Sequence, residues 1–150
     1  VDYSFNRNTS IEKATTFILK DPVHILTGFG IGSGNTSNVF ETRISQTYRE
    51  TTSYNWFTPS WLLVEYGWVG FILWILVLSC LSTKFFLYYK QTKDIEIRYW
   101  SSLGFLSALF TFIIAWYNNI PYFNAYIIYL FWAICFVAIK NRLKKLHKTI

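Results

Sequence analysis

The chain has 150 residues, of which 53% are hydrophobic, 21% are aromatic and 15% are charged. Soluble domains carry about a quarter charged residues, so this composition favours a membrane protein over an ordinary soluble enzyme. The formal net charge is +6. Residues 1–60 hold five basic and five acidic side chains, so the excess lies in the rest of the chain, where it is expected to set membrane topology. The charge therefore gives no reason to expect a nucleic acid partner.

The sequence begins at Val1 and contains no methionine, and we expect it to be the C-terminal part of a longer protein. Its first partner would then be the N-terminal transmembrane helices of that same protein. Cys80 and Cys135 each lie in an apolar run, and the sequence has no metal-ligand spacing or nucleotide-binding motif. It thus predicts neither a metal site nor a cofactor.

The first predicted element is an amphipathic helix. Small and apolar side chains recur at helical spacing at Ile11, Ala14, Thr15, Ile18 and Leu19. Thr9 and Glu12 have the spacing of a capping box at its start. Asp21 and Pro22 are expected to end it, because proline cannot continue a helix.

A glycine-rich stretch, TGFGIGSG at residues 27–34 (the glycine segment), invites comparison with phosphate-binding loops. None of its registers fits the G-x-G-x-x-G dinucleotide pattern. Two interpretations stay open: a mobile turn between helical pieces, or a backbone nest whose N–H groups face an anion or a glycan. The polar residues 36–54 that follow are expected to form a partly helical loop.

Three stretches are long and apolar enough to cross a membrane, which takes about 20 residues: 61–81, 100–117 and 122–139. Pro59 suits the first turn of the first helix, and the turn 118–121 should join the last two as an antiparallel hairpin. We therefore predict an all-α membrane protein with three transmembrane helices preceded by a partly helical extracytoplasmic loop. The predicted boundaries are 1–60 for the loop, 61–83 for the first helix, 84–99 for a basic cytoplasmic loop, 100–139 for the hairpin and 140–150 for a basic cytoplasmic tail.

Lysine and arginine decide the predicted orientation, because they accumulate in short cytoplasmic loops. They occur throughout 84–99 and 140–150, whereas the turn 118–121 has none. We therefore place both basic segments in the cytoplasm and residues 1–60 outside it, with membrane lipid as a further partner.

The motifs follow a recognisable order: an arginine before an amphipathic helix, a proline and glycine stretch, a long outer loop, and L-x-E-x-G-x-x-G entering a spanning helix. In this sequence they are Arg7, Pro22, Gly28, Gly30, Gly32 and Ser33, then Leu62 or Leu63, Glu65, Gly67 and Gly70. This order, over residues 5–82, resembles the C-terminal half of the O-antigen ligase and polymerase family of bacterial membrane proteins. Family ligases often carry a His-Asn pair where this chain has Trp56 and Phe57, which favours a polymerase or related surface-polysaccharide protein.

The resemblance implies a glycosyltransferase-type enzyme of the bacterial cytoplasmic membrane. It would polymerise or ligate glycan units carried on polyprenyl pyrophosphate at the outer face, in O-antigen, capsule or exopolysaccharide biosynthesis. An acceptor hydroxyl would displace pyrophosphate from the anomeric carbon, which calls for cations at the leaving group and a base near the hydroxyl. Two other functions stay open: a non-enzymatic transport protein, such as a flippase or exporter, and a membrane assembly subunit.

The same resemblance makes Arg7 the predicted pyrophosphate contact. Further predicted substrate contacts are Arg43, Arg49, Gly30, Gly32 and Trp56. The alternatives are solvated arginines, a simple turn and an interfacial tryptophan, respectively.

Glu65 and His24 join Arg7 as predicted catalytic residues. Glu65 is the only ionisable residue within a predicted span, a position that is costly unless it serves a function; its alternative role is a structural hydrogen bond to a neighbouring helix or to the outer loop. His24 is the only histidine of the N-terminal loop, and histidine suits proton transfer near neutral pH; the alternative is a structural or exposed histidine. Gly67 and Gly70 are interpreted as a close-packing helix face.

Overall fold

The computed structural model of the chain describes residues 6–34, 42–123 and 125–148. Every regular element within those ranges is helical, which confirms the predicted all-α class. Three of the helices are long and apolar enough to cross a membrane, in agreement with the three predicted spans.

In chain order the helices are α1 (Ser10–Lys13, continued by a π-helical turn, Ala14–Ile18), α2 (Pro22–Thr27), α3 (Arg43–Thr52), α4 (Thr58–Gln91), α5 (Ile95–Tyr117), α6 (Ile120–Phe123) and α7 (Ala125–Lys148). The chain forms two compact units, the first of Val1–Ile75 with Ile114–Tyr122 and the second of Leu76–Ile113 with Phe123–Ile150. The predicted partly helical loop contains α3, and its residues 35–41 lie outside the described ranges.

In the first unit the N-terminal helices pack on the start of α4. The buried apolar cluster there consists of Ala14, Ile18, Leu19, Tyr54, Leu63 and Val64. The predicted amphipathic helix therefore exists, and it buries its apolar side against the residues that begin the first apolar span.

The predicted capping box at the start of α1 is wrong. The Thr9 side chain makes no capping bond to α1, so Thr9 and Glu12 do not form the box. Instead the Asn6 Oδ1 accepts hydrogen bonds from the N–H and the hydroxyl of Thr9, both at 2.9 Å, because a short amide side chain readily closes such a local turn. The first helix ends at Ile18, shortly before Asp21 and Pro22 as predicted, and these two residues also start α2, with the Asp21 side chain as its N-cap.

The connection between α4 and α5 is much shorter than the predicted loop 84–99, since only residues 92–94 separate the two helices. The sequence from 71 to 103 contains no glycine or proline, so nothing stops α4 at its first lysines. Their long side chains can reach water from within a helix. Asp94 then caps α5, because its Oδ1 accepts the Ile97 N–H at 3.1 Å.

Within the second unit, polar contacts join the long helices. The Trp132 Nε1 donates to the Ser107 Oγ at 2.8 Å, and Arg142 pairs with Asp94 at 3.0 Å. This ion pair holds the pKa of the Asp94 carboxyl below its ordinary value. These contacts join the long helices of the second unit. The predicted site residues all lie in the first unit.

Candidate functional site

The glycine segment pairs with a break inside α4. Gly67 has a φ of 62° and a ψ of −166°, which interrupts the helix. A helix interruption leaves carbonyl groups of the preceding turn without their usual partners. The Phe29 and Gly30 N–H groups donate to the carbonyls of Val64 and Glu65 at 2.9 and 3.0 Å, so the glycine segment supplies those partners.

Two glycines permit this contact by letting the two backbones touch. A Cβ on Gly28 would overlap the backbone of Glu65, and a Cβ on Gly67 would overlap the Leu26 carbonyl. Both also have positive φ, at 68° and 62°, where side chains are disfavoured. The predicted close packing at Gly67 is therefore present, and its neighbours are Leu26 at the end of α2 and Gly28 of the glycine segment.

Glu65 holds the far end of the same segment. Its side chain is buried, with 1% exposure, and its Oε1 accepts the Gly34 N–H at 3.1 Å. On the other side of that residue, the Tyr54 hydroxyl donates to the Gly34 carbonyl at 2.7 Å. The structural alternative for Glu65, a hydrogen bond to the outer loop, is thus present.

These contacts bear on both interpretations of the glycine segment. The N–H groups of Phe29, Gly30 and Gly34 already donate to protein oxygens, so they cannot face an anion while the contact lasts. Gly30 and Gly32 are exposed, and their φ angles of 100° and 80° explain the need for glycine without a ligand. The described contacts therefore support an anchored turn, while contact of Gly30 and Gly32 with a glycan stays a prediction.

Burial raises the pKa of Tyr54 to about 12, with a further rise from Glu65 and an opposing effect of Arg49. We predict that Tyr54→Phe lowers the free energy of unfolding by about 1–2 kcal/mol at pH 8, because the Gly34 carbonyl loses its donor. A raised pKa means that this stabilisation is present below pH 10, the ordinary value, and lost as the pH rises through about 12. The difference in free energy of unfolding between the wild-type and Tyr54→Phe proteins, measured in detergent, should therefore be smaller at pH 11.5 than at pH 8. Tyr126→Phe, at a tyrosine with 67% exposure, is the matched control. A difference between wild type and Tyr54→Phe that is the same at both pH values would contradict the raised pKa of Tyr54.

A second feature of the first unit is an open cleft of about 1060 Å³. Aromatic rings, amide side chains and one arginine surround it: Asn6, Arg7, Asn8, Trp56, Phe57, Trp116, Tyr117, Asn118 and Asn119. The Arg7 guanidinium carbon lies 4.5 Å from the centroid of the Tyr117 ring, and Trp56 is 66% exposed. The cleft therefore offers a cation and free ring faces to a ligand.

The structure brings together Arg7 and Trp56 of the predicted site residues. The other predicted contacts are not part of the described lining of the cleft: His24, Gly30, Gly32, Arg43, Arg49 and Glu65. The His24 ring stacks 4.3 Å from Phe29, and its Nδ1 is buried without a hydrogen-bond partner among the described residues. Arg43 and Arg49 are exposed on α3.

Sequence reasoning missed the contribution of the turn after α5. Tyr117, Asn118 and Asn119 line the cleft, whereas the sequence predicts only a chain reversal at 118–121. The available signal was an aromatic pair followed directly by two asparagines, a combination richer in ligand-binding groups than a turn requires.

Three helices able to span a membrane, with N-terminal helices packed on the start of the first, are compatible with a multi-pass membrane protein. No protein-family model, curated protein or solved structure matches the chain. The resemblance to the O-antigen ligase and polymerase family, and the side of the membrane on which the cleft opens, therefore stay predictions.

Proposed function

We propose that the chain is part of a membrane enzyme that polymerises or ligates glycan units carried on polyprenyl pyrophosphate at the outer face of the bacterial cytoplasmic membrane. The supporting observation is the position of Arg7 in a cleft lined by aromatic rings and amides. Guanidinium groups bind pyrophosphate oxygens bidentately. Ring faces suit the apolar faces of sugars, and amides suit their hydroxyl groups.

The proposed reaction is a single displacement. The oxygen of an acceptor hydroxyl forms a bond to the anomeric carbon of the donor glycan, while the bond from that carbon to the pyrophosphate oxygen breaks. The pyrophosphate leaves with the electron pair, and Arg7 stabilises the negative charge that develops on it. The hydroxyl proton passes to a base or to water. We assign no base, because Glu65 is buried beneath the glycine segment and His24 is outside the described lining of the cleft.

We predict that Arg7→Ala in the full-length protein reduces glycan extension by about 100-fold or more, as expected when a donor to developing charge is lost. The measurement is a gel of lipid-linked and surface glycan from a strain that lacks the gene and carries each variant. Single repeats in place of a ladder would identify a polymerase, and full-length chains left on the carrier would identify a ligase.

Lys20→Ala is the control, since Lys20 is an exposed cation of the same N-terminal segment outside the described lining of the cleft. It should extend glycan normally. Normal extension by a stably inserted Arg7→Ala protein would refute the proposal. An unchanged glycan profile in the deletion strain would refute it as well, and would mean that the family resemblance does not hold for this chain.

A further inference from the structure

The turn after α5 is fixed to the start of α4 by several hydrogen bonds within the first unit. The Asn118 carbonyl accepts from the Thr58 hydroxyl at 2.7 Å and from the Thr58 N–H at 3.3 Å. The Asn119 Nδ2 donates to the Asn55 carbonyl at 2.5 Å. Thr58 is fully buried, and its bond to Asn118 and the bond between Asn119 and Asn55 are partly buried. The residue that precedes this turn, Tyr117, is therefore held at a defined place.

Tyr117 in turn holds Arg7. The guanidinium carbon lies 4.5 Å from the ring centroid, within the range of a cation–π contact. No hydrogen bond or ion pair of this guanidinium occurs among the described residues. A guanidinium that rests on a ring face keeps the N–H donors at its edge available to a ligand. The ring thus orients the cation without competing for its donors.

We propose that Tyr117 is a positioning residue, which presents the Arg7 guanidinium to the pyrophosphate of the lipid-linked donor. This inference rests on the proposed function of Arg7. Its basis is a preorganised cation, since an arginine on a long flexible side chain would otherwise lose rotamer freedom when the ligand binds. The C-terminal end of α5 would then contribute to the site in addition to any role as a membrane anchor.

The test is equilibrium binding of radiolabelled undecaprenyl pyrophosphate to the purified full-length protein in detergent, with unlabelled undecaprenol and inorganic pyrophosphate as competitors. Tyr117→Leu should weaken binding about three- to five-fold, the value of an exposed cation–π contact. Tyr117→Phe should stay within about twofold of wild type, because it keeps a ring face. Tyr126→Leu, at an exposed tyrosine of α7, should bind as wild type.

A double variant separates positioning from structure. Adding Tyr117→Leu to Arg7→Ala should weaken binding no further, because a positioning residue acts only through the group that it positions. Additive losses, or equal losses for Tyr117→Leu and Tyr117→Phe, would overturn the inference and leave the proposed function in place. Unchanged binding by Arg7→Ala would overturn the pyrophosphate role of Arg7 itself.

Two further results would also overturn the inference. If undecaprenol competes as strongly as unlabelled undecaprenyl pyrophosphate, the protein recognises only the polyprenyl tail of the lipid. Unfolding midpoints are measured for every variant, and Tyr117→Gln replaces Tyr117→Leu if the leucine protein does not fold. Wild-type affinity in whichever of the two variants folds would show that Arg7 does not need the ring.

Discussion

Gly67→Ala is expected to destabilise the protein by more than about 3 kcal/mol, the largest effect among the substitutions considered. The φ of 62° and ψ of −166° at Gly67 lie in a region that is essentially restricted to glycine, at a cost of about 1–3 kcal/mol for another residue. In addition, the new Cβ would lie 2.6 Å from the Gly28 nitrogen and still closer to the Leu26 carbonyl. Both obstacles are backbone atoms, so no side-chain rotation can relieve them.

The measurement is the free energy of unfolding in mixed detergent micelles, together with limited proteolysis at residues 26–34. Alanine favours a continuous helix, so α4 is expected to straighten and to release the glycine segment, which should then be cleaved quickly. Gly32→Ala is the control, because its φ is 80° but, among the described residues beyond its two chain neighbours, no atom lies within 4 Å of the added Cβ. It should cost only about 1–2 kcal/mol. Equal losses in free energy of unfolding at Gly32 and Gly67 would mean that the backbone conformation alone determines the cost, and that the close contact at Gly67 adds nothing.

The contact between the two glycine motifs could not be read from the sequence. Each motif was recognised separately, but the atoms that join them are backbone N–H and carbonyl groups, which carry no side-chain signature. Residues 61–81 form a nearly unbroken apolar run, so hydropathy predicted one continuous helix through Gly67. The glycines in the sequence indicated that backbone segments approach closely at these positions, but not which segments pair with each other.

Hydropathy located the three long helices because each is far more apolar than its flanks. The helices extend beyond the predicted spans, since the lysines near the end of α4 lower its hydropathy without stopping the helix. The cleft was predictable in part: Arg7 and Trp56 were singled out on separate grounds, and they share it. Tyr117 was missed because an aromatic residue at the end of a span already has an explanation as an interfacial anchor.

Glu65→Leu is expected to lower the free energy of unfolding by about 2 kcal/mol, since the buried Gly34 N–H would lose its acceptor. Glu65→Gln should cost less than about 1 kcal/mol, because the amide oxygen can accept the same hydrogen bond at the same distance. The measurement is again unfolding in mixed micelles. Loss of stability in the glutamine protein as large as in the leucine protein would contradict a role based on that single acceptor oxygen.

The same pair of variants distinguishes the two roles predicted for Glu65. A general base contributes about 10²–10⁴-fold to the rate, and glutamine cannot take a proton, so a catalytic Glu65 would make Glu65→Gln stable but inactive. A residue that only anchors the glycine segment would leave Glu65→Gln close to wild type in glycan extension. Its burial at 1% exposure and its bond to Gly34 lead us to expect the second result. Activity should then follow stability across the wild-type, glutamine and leucine proteins, since the carboxyl group acts by keeping two distant stretches of backbone in contact.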